Sequence, residues 1–213
     1  PGEVRAPDVL TLEDRARRGP DLAALGAAAY RAGQVAVLMV AGGQGTRLGV
    51  DGPKGCFVIT PYGKKSIYQL QAEKVAALAR SYGRPIPLLI MTSPATDAET
   101  RAFFAAHGSF GPSGGLTDVR FFCQGQVPSL GADGQALLAG PDALLLNPDG
   151  HGGCFTALGR SGQLQRLVAE GRRFLVYIQV DNILAPVDDP ILVGLAAAEQ
   201  ADVVTKVLEK ATP

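Results

Sequence analysis

Apolar residues along this chain fall into two patterns. The first is the unbroken run. Val35 to Ala41 contains no polar residue and stops at Gly42-Gly43. A run without alternation predicts a strand buried on both faces, as in a parallel sheet covered by helices. Similar runs lie at 87–91, 119–122, 174–180 and 203–207. The second pattern has helical spacing and fills the gaps: Ser66 to Tyr82, Asp97 to His107, Cys154 to Glu170 and Asp189 to Gln200. Strands alternating with helices of this length predict an α/β domain with a mixed, mostly parallel sheet flanked by helices. The Gly-, Ser- and Pro-rich stretch 108–117 reads as a surface loop. Ahead of the first run, residues 1–33 read as a helical lead-in of one or two short helices, broken at Gly19-Pro20. Arg15, Arg17 and Arg18 read as its solvated face. Residues 34–213 form the second domain of this reading.

Composition narrows the picture a little. Hydrophobic residues make up 46% of the 213, enough for a sizeable core. Twenty basic residues balance twenty acidic ones, so bulk charge points to neither nucleic acid nor an acidic membrane. Cys56, Cys123 and Cys154 are scattered, with no Cys-x-x-Cys pair. They predict reduced thiols in a cytoplasmic protein rather than a disulfide framework or a zinc site. No apolar run is long enough to span a membrane, and no signal-peptide pattern is visible.

In sheets of this kind ligands bind beyond the carboxyl ends of the strands, near a switch in strand order. The loop after the first strand reads Ala41-Gly42-Gly43-Gln44-Gly45-Thr46-Arg47-Leu48-Gly49, and then Pro53-Lys54-Gly55. Its glycines free the backbone to approach a ligand and to aim N–H groups at it. Arg47 offers a fork that suits phosphate oxygens, and Lys54 adds a compact positive charge. A dinucleotide-binding turn is disfavoured, because Leu48 stands where its third glycine belongs. A Walker loop is disfavoured because Gly63-Lys64-Lys65-Ser66 lacks the required frame. A merely structural glycine turn leaves the flanking Arg47 and Lys54 unexplained.

These residues closely resemble the motif of the eukaryotic-type UDP-sugar pyrophosphorylases, most of all the UDP-N-acetylhexosamine branch. Further blocks follow in the family's order: Lys65 to Glu73, Met91-Thr92-Ser93, Phe121-Phe122-Cys123-Gln124-Gly125, Asn147 to Gly153, Val180-Asp181-Asn182 and Val207 to Lys210. The resemblance implies a Rossmann-like GT-A nucleotidyltransferase domain. It implies a uridylyltransferase that converts UTP and a sugar 1-phosphate, of glucose or N-acetylglucosamine type, to UDP-sugar and pyrophosphate. Ala41, Gly42, Gly43, Gly45 and Thr46 would then line the nucleotide. Arg47 would bind the outer phosphates, Lys54 would stabilise charge at the α-phosphate, and Gln124 and Gly150 would meet the uracil. An amide suits that base, whose edge carries both a donor and acceptors. His151, Gly152 and Asn182 would face the sugar. Asp181 would hold Mg²⁺ between phosphates, since that ion takes one or two carboxylates plus phosphate oxygens. His151 departs from the hexosamine branch, which carries Asn there, and resembles UDP-glucose and broad-specificity enzymes.

His107, at a helix end before Gly108, reads as a cap. Asp188 and Asp189 read as a helix start, and Lys206 as a phosphate-facing or edge-strand lysine. Enzymes of the family are considerably longer than this chain, and the start on Pro1 fits a trimmed sequence. The rival reading is a nucleotide- or sugar-phosphate-binding regulatory module without turnover. Neither reading predicts a nucleic-acid or membrane partner.

Overall fold

A computed structural model describes residues 8–49, 51–111 and 116–208. The Arg47 side chain and Glu209-Lys210 lie outside the described residues. By contacts the chain divides into two compact units, 33–187 and the combination of 1–32 with 188–213. The sequence reading kept 188–213 with the nucleotide-binding part; the contacts group it with the first helix.

That first helix, α1 (Leu12–Arg31), is one continuous helix that runs through Gly19-Pro20 instead of breaking there. Thr11 caps it: its Oγ1 accepts from the Asp14 N–H at 3.1 Å, and the Asp14 carboxylate accepts from the Thr11 N–H at 3.2 Å. Such a reciprocal cap is worth about 1 kcal/mol. The helix also packs closely on α6 (Pro190–Glu199): a Cβ on Gly26 would lie 1.9 Å from the Pro190 carbonyl, and one on Gly194 1.8 Å from that of Leu22. Cap and packing outweigh the one hydrogen bond that Pro20 removes. Arg17 pairs with Asp14 and Arg18 with Glu199. Asp189 starts α6, accepting from the Leu192 N–H at 3.0 Å. It also pairs with Lys206. No strand forms at 203–207; Val203 and Val207 are exposed, and no described strand pairs with them.

The larger unit is built on four parallel strands in the order β3-β2-β1-β8: β1 (Val35–Val40), β2 (Leu88–Thr92), β3 (Val119–Cys123) and β8 (Phe174–Gln179). Side chains alternate across it. Ala36, Leu38, Leu89, Met91 and Phe122 pack on α4 (Gly153–Arg160) and α5 (Gln163–Ala169) through Cys154, Leu158 and Leu167. On the other face lie α2 (Ile67–Tyr82) and α3 (Asp97–Ala106), where Tyr68 meets Phe104 and Phe104 meets Phe121. The single helix expected over 154–170 is two, split at Ser161-Gly162, where Gly162 takes φ +76°. His107 is the C-cap of α3, its Nδ1 2.8 Å from the Phe103 carbonyl.

Between β3 and α4 the chain forms two small antiparallel ribbons that the periodicity did not announce. They pair β4 (Gln126–Pro128) with β7 (Leu146–Pro148), and β5 (Leu138–Gly140) with β6 (Ala143–Leu144). Strands of two or three residues are too short to show a period-2 pattern.

Candidate functional site

The carboxyl ends of all four parallel strands carry loop residues of interest: Ala41-Gly42 after β1, Ser93 after β2, Gln124 after β3 and Asp181 after β8. From β1 the order runs outward to β2 and β3 on one side and to β8 on the other. The switch point therefore lies between β1 and β8, and their loops meet there. The Lys54 Nζ donates to the Asp181 Oδ2 at 2.8 Å. That bond, with the lysine charge, holds the Asp181 carboxyl below the ordinary carboxylate range; His151 is within electrostatic reach as well.

The glycine loop is pinned to the segment that carries Lys54. The Gly45 N–H donates to the Gly52 carbonyl at 2.8 Å and the Lys54 N–H to the Gly43 carbonyl at 3.1 Å. Ala41 is buried and bound to the Met91 carbonyl, while Gly43 is exposed. Thr46 and Arg47 lie in a 3-10 turn, Thr46–Leu48, closed by Gly49 at φ +70°. Gly55 sits on the ring of Tyr68, where a Cβ would come within 2.3 Å of ring carbons. Tyr68 is itself fully buried and shares a 3.1 Å hydrogen bond with the Thr100 hydroxyl.

Gln124 is buried, and its side-chain amide lies over Gly42: a Cβ there would be 2.9 Å from Oε1. The two residues thus come together from different strands. Ser93, which the sequence reading passed over as a site residue, donates from Oγ to the Gly42 carbonyl at 2.8 Å and so steadies the same corner. A serine directly after a buried strand end was the available signal.

The turn after β7 carries Gly150 at φ +75°, His151 and Gly152. His151 Nδ1 is hydrogen-bonded to the Tyr177 hydroxyl on β8, and the Phe155 ring lies 6.3 Å from that of Tyr177. Burial pushes the Tyr177 phenol up, so it stays protonated. Asp149 packs where Gly125 and Gly153 have no side chain, and its Oδ1 is buried without a hydrogen-bond partner. Beside it lies a cleft of about 220 Å³ bordered by Cys123, Gln124 and Arg160. Cys154 is a core residue rather than a pocket one; burial pushes its thiol up to about 11. Asn182 is partly engaged in its own turn, where Oδ1 accepts from the Ala185 N–H at 3.1 Å.

Among the described residues no group of three or more His, Cys, Asp or Glu comes together that could hold a metal, and no helix is long and apolar enough to cross a membrane. Asp181 offers one carboxylate, its side chain 45% exposed. One such ligand is compatible with Mg²⁺ when phosphate oxygens and water supply the rest.

A family model described as UTP–glucose-1-phosphate uridylyltransferase matches residues 13–213. The UDP-N-acetylglucosamine pyrophosphorylase of Saccharomyces cerevisiae is 37% identical over 190 residues, covering 87% of this chain and 39% of the yeast protein. Among solved structures, the uridine diphosphate N-acetylglucosamine pyrophosphorylase of Trypanosoma brucei, in complex with inhibitor, superposes with a TM-score of 0.78 at 32% identity. It covers 90% of this chain and 41% of its own. A UDP-glucose pyrophosphorylase variant of Leishmania major, in complex with UDP-glucose, gives 0.67 at 27%, covering 81% and 36%. The likeness places the sheet and its flanking helices in the nucleotidyltransferase-type fold of these proteins. The chain spans 36% of the length of a curated relative from Xenopus tropicalis and 42% of one from Arabidopsis thaliana.

Proposed function

Because the chain belongs to the UTP–glucose-1-phosphate uridylyltransferase family, we propose that it carries the nucleotide-binding and reacting part of an enzyme that joins UTP to a sugar 1-phosphate, releasing pyrophosphate. The observation that carries this reading is the Lys54–Asp181 pair at the switch point, beside a glycine loop whose next wall is Gln124.

In this reaction a sugar phosphate oxygen attacks the α-phosphorus of UTP and the bond to the β-phosphate oxygen breaks. Positioning and charge neutralisation are what the protein must supply, and no nucleophilic side chain is needed. The loop 41–46 lines the triphosphate with backbone, and Arg47 takes the outer phosphates. Lys54 turns from Asp181 to the α-phosphate, where negative charge builds. Gln124 and the Gly150 backbone read the uracil edge. His151, Gly152 and Asn182 face the sugar, which is of glucose or N-acetylglucosamine type. The Tyr177 hydroxyl holds the His151 ring in place through Nδ1. Asp181 would be the protein's ligand to Mg²⁺, which when bound neutralises phosphate charge. The three free thiols support a reducing, cytoplasmic compartment.

Calorimetric titration with UTP and UDP-glucose, with and without Mg²⁺, tests the proposal beside an Arg47→Ala, Lys54→Ala double variant. We expect UTP binding that the variant loses. Equal binding of UTP and CTP, or binding that the double variant retains, would overturn it. UTP binding in an extended chain that never turns over would favour the regulatory module.

A further inference from the structure

We propose that Gln71 and Lys74 are positioning residues, which hold the Asp181 turn at the distance from Lys54 that the site requires. The proposal rests on the reading of Asp181 as the site's carboxylate. Gln71 is fully buried on α2. Its Nε2 faces the carbonyls of Val180 at 3.1 Å, Asn182 at 3.2 Å and Gln179 at 3.4 Å. Two of these belong to the residues on either side of Asp181. One turn further along the same helix, the Lys74 Nζ reaches the carbonyls of Ile183 and, at 3.2 Å, Ala185. Five carbonyls of the stretch 179–185 are thus drawn to two side chains of one helix.

The same helix controls the other partner of the pair. Tyr68, three residues before Gln71 and so on the same face of α2, lies under Gly55, the neighbour of Lys54. The Ile67 N–H donates to the Phe57 carbonyl at 3.0 Å, which ties the helix start to the Lys54 segment. Helix α2 is therefore a bar with one seat for each loop. An apolar residue at 71 would fill the space as well. The amide there instead leaves its Oε1 buried with no hydrogen-bond partner. A buried acceptor left unmatched in this way is costly, and its presence is accounted for by the donor on the other side of the same amide.

The test follows amide hydrogen exchange at Val180, Asn182 and Ala185, whose N–H groups are hydrogen-bonded, in the unsubstituted chain, in Gln71→Met and in Lys74→Met. In Gln71→Met these amides exchange about tenfold faster or more as the turn loosens, and in Lys74→Met they change less in the same direction. Amide signals of β1 and β2 stay in place. Unchanged exchange at all three amides in both variants, with those signals intact, overturns the proposal. If Gln71→Met does not fold, the half-buried Lys74→Met decides alone. UTP titration separates this proposal from the reading beneath it. A loss of about tenfold in Mg²⁺-dependent affinity in Gln71→Met, with Mg²⁺-free affinity held, supports both. Faster exchange in the turn with UTP affinity unmoved, even in Asp181→Asn, keeps the clamp and removes the uridylyltransferase.

Discussion

The two loops that bring Lys54 and Asp181 together are held by opposite means. The loop after β1 is shaped by side chains that are missing. Gly42 makes room for the Gln124 amide, Gly55 for the Tyr68 ring and Gly52, at φ +111°, for the Glu99 carboxylate. The loop after β8 is shaped by side chains that are present. Gln71 and Lys74 grip its carbonyls from α2, and Asn182 bonds within it. The first arrangement is disturbed by added atoms; the second is disturbed by the removal of hydrogen-bonding side chains. Substitutions of opposite kind should therefore break them.

The largest effect is expected at Gly55. A methyl there meets a buried ring that cannot swing away, so Gly55→Ala should destabilise by about 1–3 kcal/mol, read by thermal or urea unfolding. Gly42→Ala should behave differently. Its methyl meets the far end of a glutamine side chain, which can move, so stability should hold while Gln124 is displaced. About tenfold weaker UTP binding by calorimetry is the expected reading, equivalent to one lost hydrogen bond. Unchanged UTP affinity in Gly42→Ala would separate Gln124 from the base.

On the other loop, Asn182→Ala removes the acceptor for the Ala185 N–H and should cost about 0.5–1 kcal/mol in the same unfolding assay. The smallest effect belongs to Asp181→Asn, which is expected to alter stability by only a few tenths of a kcal/mol, since the ion pair is substantially exposed. Its sign can still be checked. The folded pKa of Asp181 is lowered, so the contribution of its charge is present above the unfolded value of about 3.9. It fades as pH falls through the folded value. The unsubstituted and Asp181→Asn chains should thus differ at pH 6 and converge once pH has fallen below the folded value. A difference that grows on acidification would contradict the pairing with Lys54.

This contrast also explains what could be read from the sequence. Glycines crowded after an apolar run are visible in the residues themselves, because only a special backbone needs them. The parallel strands were visible for a similar reason: burial on both faces leaves no polar position in β1 and only the terminal Thr92 in β2. A glutamine inside an amphipathic helix carries no such mark. Gln71 looks like any polar helix residue until the fold turns it inward towards Val180 and Asn182. The ribbons at 126–148 were hidden by their shortness. The helix α1 was misjudged at Gly19-Pro20 because local propensity was outweighed by its cap and by its close packing on α6. At 203–207 an apolar run alone was not enough, since a strand needs a neighbour to pair with.

The order of the sheet has a further consequence for how the molecule assembles. Strand β1 meets β2 after one helix, but its other edge waits for β8, which arrives only after β3, both ribbons and the three helices α3, α4 and α5. The local half of the sheet, with the glycine loop, can form early; the pairing of Val35 with Phe174 closes a long loop and should form late. During synthesis, the loop that holds Lys54 would emerge and fold against β2 well before Asp181 exists to meet it. Until then one edge of the central strand stands open, an aggregation-exposed interval that ends when the last parallel strand docks.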